Sequence, residues 1–263
     1  MIIDSHLHIS TTNKSKTFAI AKKELLLEMK KNKVNKAIVI PDNVKNPYCA
    51  DIDMVYKLIK NDSRFFMIAT LKIDSINKKN IAKIETLFKN KKAIGFKIFP
   101  GHDPIYPTDT RWFPIYKLCE KYNIPLIIHT GINSNNKSVA KFNDPKYIIK
   151  VANKFKNLKI IIAHYFWPKL DYCFEKTNGF DNIYFDLSAL ADEEVVKKSG
   201  GIKKIRQILL KTHKRKPDSL LFGTDWPMCN VTKHIDLVRS LPISSKEKQN
   251  IFFKNTKKIF NLK

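Results

Sequence analysis

Three side chains that could act together sit within the first eight residues: Asp4, His6 and His8, in the run I-I-D-S-H-L-H. Along an extended strand successive side chains alternate between faces, so positions 4, 6 and 8 share one. Two imidazoles at i and i+2 can then meet on a single cation, for histidine is a common ligand of zinc and related ions. The apolar pair Ile2-Ile3 ahead of them predicts a buried strand, which stray histidines on a solvated edge would not require. Two ligands hold an ion poorly, so the rest of the chain must supply more. Candidates recur in one context, the polar end of an apolar run. Lys97 follows A-I-G-F, His129 follows I-P-L-I-I, His164 follows I-I-I-A, and Asp225 follows L-L-F-G-T. A lone histidine in such a place is more often a core or loop residue. Five such endings, counting His8, point to one metal site, because borderline metals take His and carboxylate ligands gathered from several elements.

These endings need elements to position them. The apolar runs predict eight strands: the one leading to His8, then 34–41, 64–73, 91–101, 124–131, 158–168, 182–190 and 219–227. The run at 124–131 is apolar almost throughout, as expected of a parallel strand buried on both faces. Apolar spacing predicts helices over 17–31, 51–60, 80–88, 144–156, 193–211, 232–240 and 245–259. Another is capped by Thr108 or Asp109, and a short one ends near Asn178. Strands alternating with helices over 263 residues predict an α/β fold, a (β/α)8 TIM barrel forming one domain over residues 1–263. No glycine-rich phosphate loop argues for an open sheet instead. In such a barrel the chemistry sits at the C-terminal ends of the strands, where the candidates fall.

The formal net charge is +25, with 49 Lys and Arg against 24 Asp and Glu. Such a balance can signal nucleic acid, whose phosphates bind Lys and Arg. The lysines are spread over nearly every predicted helix, however, and read as a solvated coat, so a nucleic-acid partner is not expected. The densest cluster, Lys211–Lys216, is expected in a helix-to-strand turn. A basic surface would still draw in an anionic small substrate. No apolar run approaches the roughly 20 residues of a membrane span. With a core strand directly after Met1 and no secretory leader, the cytoplasm is the expected compartment. Four widely spaced cysteines, Cys49, Cys119, Cys173 and Cys229, are expected as reduced packing residues. A homo-oligomer stays open.

Taken together, D-S-H-L-H at 4–8, G-F-K at 95–97, I-P-L-I-I-H-T-G at 124–131, A-H at 163–164 and G-T-D-W-P at 223–227 resemble the amidohydrolase superfamily. The similarity is to its amidohydrolase-2 branch, which includes relatives of aminocarboxymuconate semialdehyde decarboxylase. The resemblance implies a divalent metal, zinc by preference, held by His6, His8, His129 and Asp225, with His164 nearby as a catalytic acid or base and Asp225 taking a proton from water. One ion is favoured over two. In binuclear relatives a strand-four lysine is carboxylated and bridges two ions; otherwise Lys97 binds a substrate carboxylate or lines the barrel. Asp4 is a candidate to orient a ligand histidine. A helix N-cap is the competing role for Asp225. The chain departs from relatives with glycine after the sixth-strand histidine, having Tyr165, Phe166 and Trp167 there. The implied activity is metal-dependent hydrolysis of an ester, lactone or amide bond in a small molecule. The alternative is non-oxidative decarboxylation of a small carboxylic acid. A TatD-like nuclease shares the opening H-x-H but carries glutamate on its fourth strand, where this chain has G-F-K. A barrel that keeps its ligands only for structure or binding is the non-enzymatic alternative.

Overall fold

Each apolar run of the sequence becomes a stave of a closed barrel in the computed structural model, which describes residues 1–132 and 137–263. The strands are β1 (Ile3–Leu7), β2 (Lys36–Val39), β3 (Phe65–Met67), β4 (Ala69–Thr70), β5 (Phe96–Ile98), β6 (Leu126–Ile128), β7 (Ile160–Ile162), β8 (Ile183–Asp186) and β9 (Leu220–Leu221). Neighbours pair in parallel in the order β1-β2-β3 and β4 through β9. β3 and β4 are halves of one predicted strand, interrupted at Ile68. The Ile68 amide donates to the Val39 carbonyl at 3.0 Å, and Ile94 and Ala69 carry the ladder past the break at 2.9 Å each. Eight staves result. The ring closes where the amides of Ser5 and His8 donate to the carbonyls of Phe222 (2.9 Å) and Trp226 (2.8 Å), and the Asp225 amide donates to His6 (2.8 Å).

The ladders are shorter than the predicted strands because an apolar run marks burial, and burial continues into the loops after pairing stops. The period of two sorts the side chains. Ile38, Ile40, Ile68, Ile127, Ile161 and Leu221 fill the barrel, joined by Ile259 and Phe260 from the end of the chain. Outward residues such as Val39, Phe96, Leu126 and Ile160 pack in the larger core with the helices. Lys97 is in register with Ile127, and Ile127 with Ile161, which puts Lys97 in the inward row.

The helices are α1 (Phe18–Lys31), α2 (Ile52–Ile59), α3 (Lys78–Lys89), α4 (Phe113–Lys121), α5 (Pro145–Lys154), α6 (Leu170–Thr177), α7 (Glu193–Lys198), α8 (Ile202–Arg215), α9 (Val231–Arg239), α10 (Ser245–Gln249) and α11 (Asn255–Ile259). Thr17, Asp51 and Asp144, the first residues of their predicted spans, cap their helices. Asp109 caps a 3-10 turn, Thr110–Trp112, that leads into α4.

Two expectations are corrected. The helix over 193–211 is broken into α7 and α8, because Gly200 and Gly201 adopt φ of +83° and +95°. The Gly201 amide there donates to the Val196 carbonyl at 2.8 Å, the left-handed glycine ending of a helix. The basic run at 211–216 belongs to the last turns of α8 and its cap rather than to a turn. At the end of the chain α10 and α11 are joined by a π-helical turn, Asn250–Lys254, whose Ile251 carbonyl accepts the Phe222 amide at 3.0 Å. Among the described residues no helix is long and apolar enough to cross a membrane.

Candidate metal centre

His6 and His8, from β1 and the residue beyond it, have their ring nitrogens assigned by their surroundings. His6 Nδ1 lies 2.8 Å from Asp186 Oδ2, and His8 Nδ1 lies 2.8 Å from the Ile40 carbonyl. Both partners accept, so each Nδ1 carries a proton, and in the neutral ring each Nε2 presents a lone pair. The two Nε2 atoms converge on Asp225 Oδ1, at 3.5 Å from His6 and 3.4 Å from His8. His6 Nε2 is buried with no hydrogen-bond partner. Three electron-rich atoms facing one another in a buried place repel unless something positive lies between them. Ligand atoms about 2.1 Å from an ion, at tetrahedral angles, lie roughly 3.4 Å apart, so the two edges to Asp225 have the length a zinc-like ion requires, and the third lies within 4.8 Å.

The electrostatics agree. Burial opposes charge on Asp225, yet the imidazoles of His164, His8 and His6 hold its carboxyl far below the usual carboxylate range. Burial also disfavours charge on His8, but Asp225 and Cys49 beside it carry it up to about 10. Without an ion His8 is therefore protonated on Nε2 toward Asp225, a positive charge at the point where a metal would bind and one that a metal would displace. The approach of the strand-nine end to β1 depends on Gly223, where a Cβ would come within 3.0 Å of His6 Cβ. Asp225 has a φ of +68° and caps no helix; Asn230 caps α9.

Asp4 does not orient a ring. It accepts from the Thr224 hydroxyl (2.6 Å), the Thr224 amide (3.1 Å) and the His6 amide (3.1 Å), and burial pushes its carboxyl up to about 7. It ties β1 to the segment carrying Asp225, while Asp186 and the Ile40 carbonyl hold the imidazoles. The sequence reading missed Asp186. Its Oδ1 accepts from the amides of His164 (3.0 Å) and Ser188 (3.2 Å) and from the Ser188 hydroxyl. The polar end of the apolar run N-I-Y-F-D was the available signal, the same rule that found the others.

His164 heads a turn in which it, Tyr165 and Phe166 all take left-handed φ, between 52° and 58°. Non-glycine residues are strained there. Thr130 compensates, its hydroxyl donating to the Ala163 carbonyl (2.5 Å) and accepting the Phe166 amide (2.8 Å). The His164 ring centroid lies 4.8 Å from that of His6, and its Nδ1 is 2.8 Å from Ser188 Oγ. Burial pushes His164 down to about 3, so the ring is neutral at neutral pH. With His6 and Asp186 it forms a second group close enough to hold a cation, but hydrogen bonds already join these residues, through Ser188 and directly between His6 and Asp186. Of the aromatic run that follows, Trp167 lines the cavity. Tyr165 packs instead on Phe185, ring centroids 4.3 Å apart.

His129 lines the same cavity, its ring centroid 5.0 Å from His164 and 4.3 Å from His102, a second residue the sequence reading missed. It belongs to neither cation-sized group among the described residues. Burial, then His102 and His164, push its pKa well below the usual histidine value. Lys97 is 0% exposed, its Nζ without a hydrogen-bond partner and 5.4 Å from the Phe99 ring. Burial lowers its ammonium to about 8 against the pull of Asp186 and Asp225. These groups share one cavity of about 720 Å³.

A parallel barrel with His-x-His on its first strand, a carboxylate beyond its last and further imidazoles between defines a class, the metal-assisted barrel enzymes. The sequence from 42 to 262 matches the amidohydrolase family profile, and the chain belongs to that family, in the amidohydrolase-2 branch; it is an enzyme of that type. No curated protein matches the sequence. Similar solved structures include an uncharacterised TIM-barrel protein of Bordetella bronchiseptica, 17% identical with a TM-score of 0.79, covering 99% of this chain and 98% of that one. A probable 2-pyrone-4,6-dicarboxylic acid hydrolase of Acinetobacter baumannii, with citric acid bound, is 13% identical with a TM-score of 0.72, covering 99% of both. A dihydroxybenzoic acid decarboxylase of a Polaromonas species, with bound manganese, is 14% identical with a TM-score of 0.67, covering 99% and 97%. At these identities the likeness establishes the TIM-barrel fold.

Proposed function

We propose that the chain binds one divalent cation, zinc, through His6, His8 and Asp225 with His129 as the fourth ligand. We propose further that it acts in the cytoplasm, hydrolysing an ester, lactone or amide bond of a small anionic molecule. One observation carries this reading: the triangle of His6 Nε2, His8 Nε2 and Asp225 Oδ1, with each Nδ1 bonded outward so that Nε2 is the atom facing inward. A divalent ion there would supply a Lewis acid and make hydroxide available near neutral pH.

The chain's own residues provide the proton handling. Ser188 gives its single hydroxyl proton to Asp186, so its oxygen can only accept the Nδ1 proton of His164. That leaves His164 Nε2 as an acceptor, suited to take a proton from an attacking water and return it to the leaving group. Asp225, with Oδ1 turned to the two imidazoles, keeps a second oxygen for the same water.

Decarboxylation is the second reading, favoured by the unpaired Lys97 ammonium, which would hold a carboxylate near the ion. The purified protein should contain close to one ion per chain by elemental analysis, lost in His8→Ala. On a panel of lactones, amides and benzoic acids, incorporation of oxygen from labelled water supports hydrolysis, and carbon dioxide release without it supports the second reading. Turnover that survives chelation of all metal would overturn both.

A further inference from the structure

The cavity inverts the charge of the chain around it. Among the described residues that line it, Lys97 is the lone Lys or Arg, while Asp42, Asp192, Glu194 and Asp225 all face it. Their depths differ. Lys97 is fully buried, whereas Asp42 and Asp192 are only partly so. Asp42 accepts from the Asn46 side chain (2.7 Å) and the Val44 amide (3.4 Å), and Asp192 from the amides of Glu194 (2.9 Å) and Val195 (3.3 Å). Amides do not cancel a carboxylate's charge, and among the described residues no ammonium or guanidinium pairs with either. Lys198, beside the cavity residue Trp167, is paired with Glu194. At the inner end the balance is opposite. Asp186 and Asp225 are committed to the imidazoles, and Lys97 Nζ is buried without a hydrogen-bond partner or an ion pair among the described residues. A buried cation without a partner is costly, and a ligand anion would remove that cost.

We propose that the site selects molecules with a single carboxylate, which Lys97 holds at the inner end, and rejects dicarboxylates, whose outer charge meets Asp42 and Asp192. This rests on the cavity being the active site proposed above and narrows its substrate to monocarboxylates with an uncharged or cationic outer end. It also sets the ammonium of Lys97 against carboxylation of that residue, for a carboxylated lysine would repel the same anion.

The test is calorimetric titration of the metal-free wild-type protein with benzoate, benzamide and isophthalate. Benzoate should bind, and isophthalate at least about tenfold more weakly. Lys97→Met should lose benzoate by a similar factor while keeping benzamide, and the Asp42→Asn, Asp192→Asn double variant should recover isophthalate. Equal binding of benzoate and isophthalate, no binding of benzoate, or unchanged benzoate binding in Lys97→Met would each overturn it. If Lys97→Met fails to fold, the wild-type ratio of benzoate to isophthalate decides alone. Metal content is a separate readout: benzoate held by Lys97 in a protein that takes up no metal would uphold the charge selection and sink the metal reading.

Discussion

Replacing Asp186 with Asn tests the centre at the residue that sets its tautomers. The carboxylate takes four donors, His6 Nδ1 on Oδ2 and the His164 amide, Ser188 amide and Ser188 hydroxyl on Oδ1. Asparagine is isosteric but turns one oxygen into a donor. With its NH2 toward His6, the imidazole must accept at Nδ1 and carry its proton on Nε2, the atom that faces Asp225. With its NH2 the other way, it meets three donors and leaves them unpaired in a buried place, at about 1–3 kcal/mol. Either way the centre is weakened. Partners that orient a metal-ligating histidine typically account for about 10–100-fold in metal affinity, or about 1.4–2.7 kcal/mol. The assay is competition for zinc between the protein and a chromophoric chelator, beside a melting curve in chelator to separate binding from folding. Zinc affinity of the folded Asp186→Asn protein within about twofold of wild type would refute the argument, since no tautomer inversion could then have occurred.

Zinc at about 100 times its dissociation constant should raise stability by about 2.7 kcal/mol, and thermal melts should show no such gain in His8→Ala. Gly131→Ala forces a side chain onto a backbone with φ of +98° and sets its Cβ 2.8 Å from Trp167 Nε1 and 3.2 Å from the Trp167 carbonyl. A loss of at least about 1–2 kcal/mol should follow, read as a lowered Tm, and an unchanged Tm would show that the turn is not built as described. Away from the centre, the side chain of His213, then the hydroxyl and amide of Ser244, hold the Glu247 carboxyl down at about 2. The folded state therefore binds fewer protons here than the unfolded chain between about pH 2 and 4.5, so this contribution is complete above that window and lost as pH falls through it. Urea midpoints of wild type and Glu247→Gln should converge on acidification, and a gap that persists at pH 2 would contradict the assignment.

The barrel was legible because parallel strands buried on both faces write themselves as apolar runs, and the centre because polar residues at the ends of such runs have few other reasons to be there. What escaped was whatever closure and loops decide. Asp4 shares a strand face with His6, yet Asp186, which lies 180 positions away in sequence, reaches the ring. That pairing depends on β8 standing near β1 across the closed barrel, a distance no local pattern encodes. The left-handed turn at His164–Phe166 contains no Gly or Asn to announce it and is imposed by Thr130 from the neighbouring stave. The break at Ser199-Gly200-Gly201 was announced, and apolar spacing on both sides of it masked the signal.

His129 shows where strand-end reasoning stops and the loops take over. Its register beside Ile98 brings it to the cavity, but its ring is packed against His102, from a loop without periodicity. The triangle of His6, His8 and Asp225 is therefore the part of the candidate centre built by the barrel itself, while His129 packs against a loop residue. His102→Ala should separate the two. If His129 completes the set only against the ring of His102, the variant should keep its fold and its triangle but bind zinc at least about tenfold more weakly, as for other residues that support a ligand. Zinc affinity equal to wild type in a normally folded His102→Ala protein would show that His102 has no part in any zinc binding by His129.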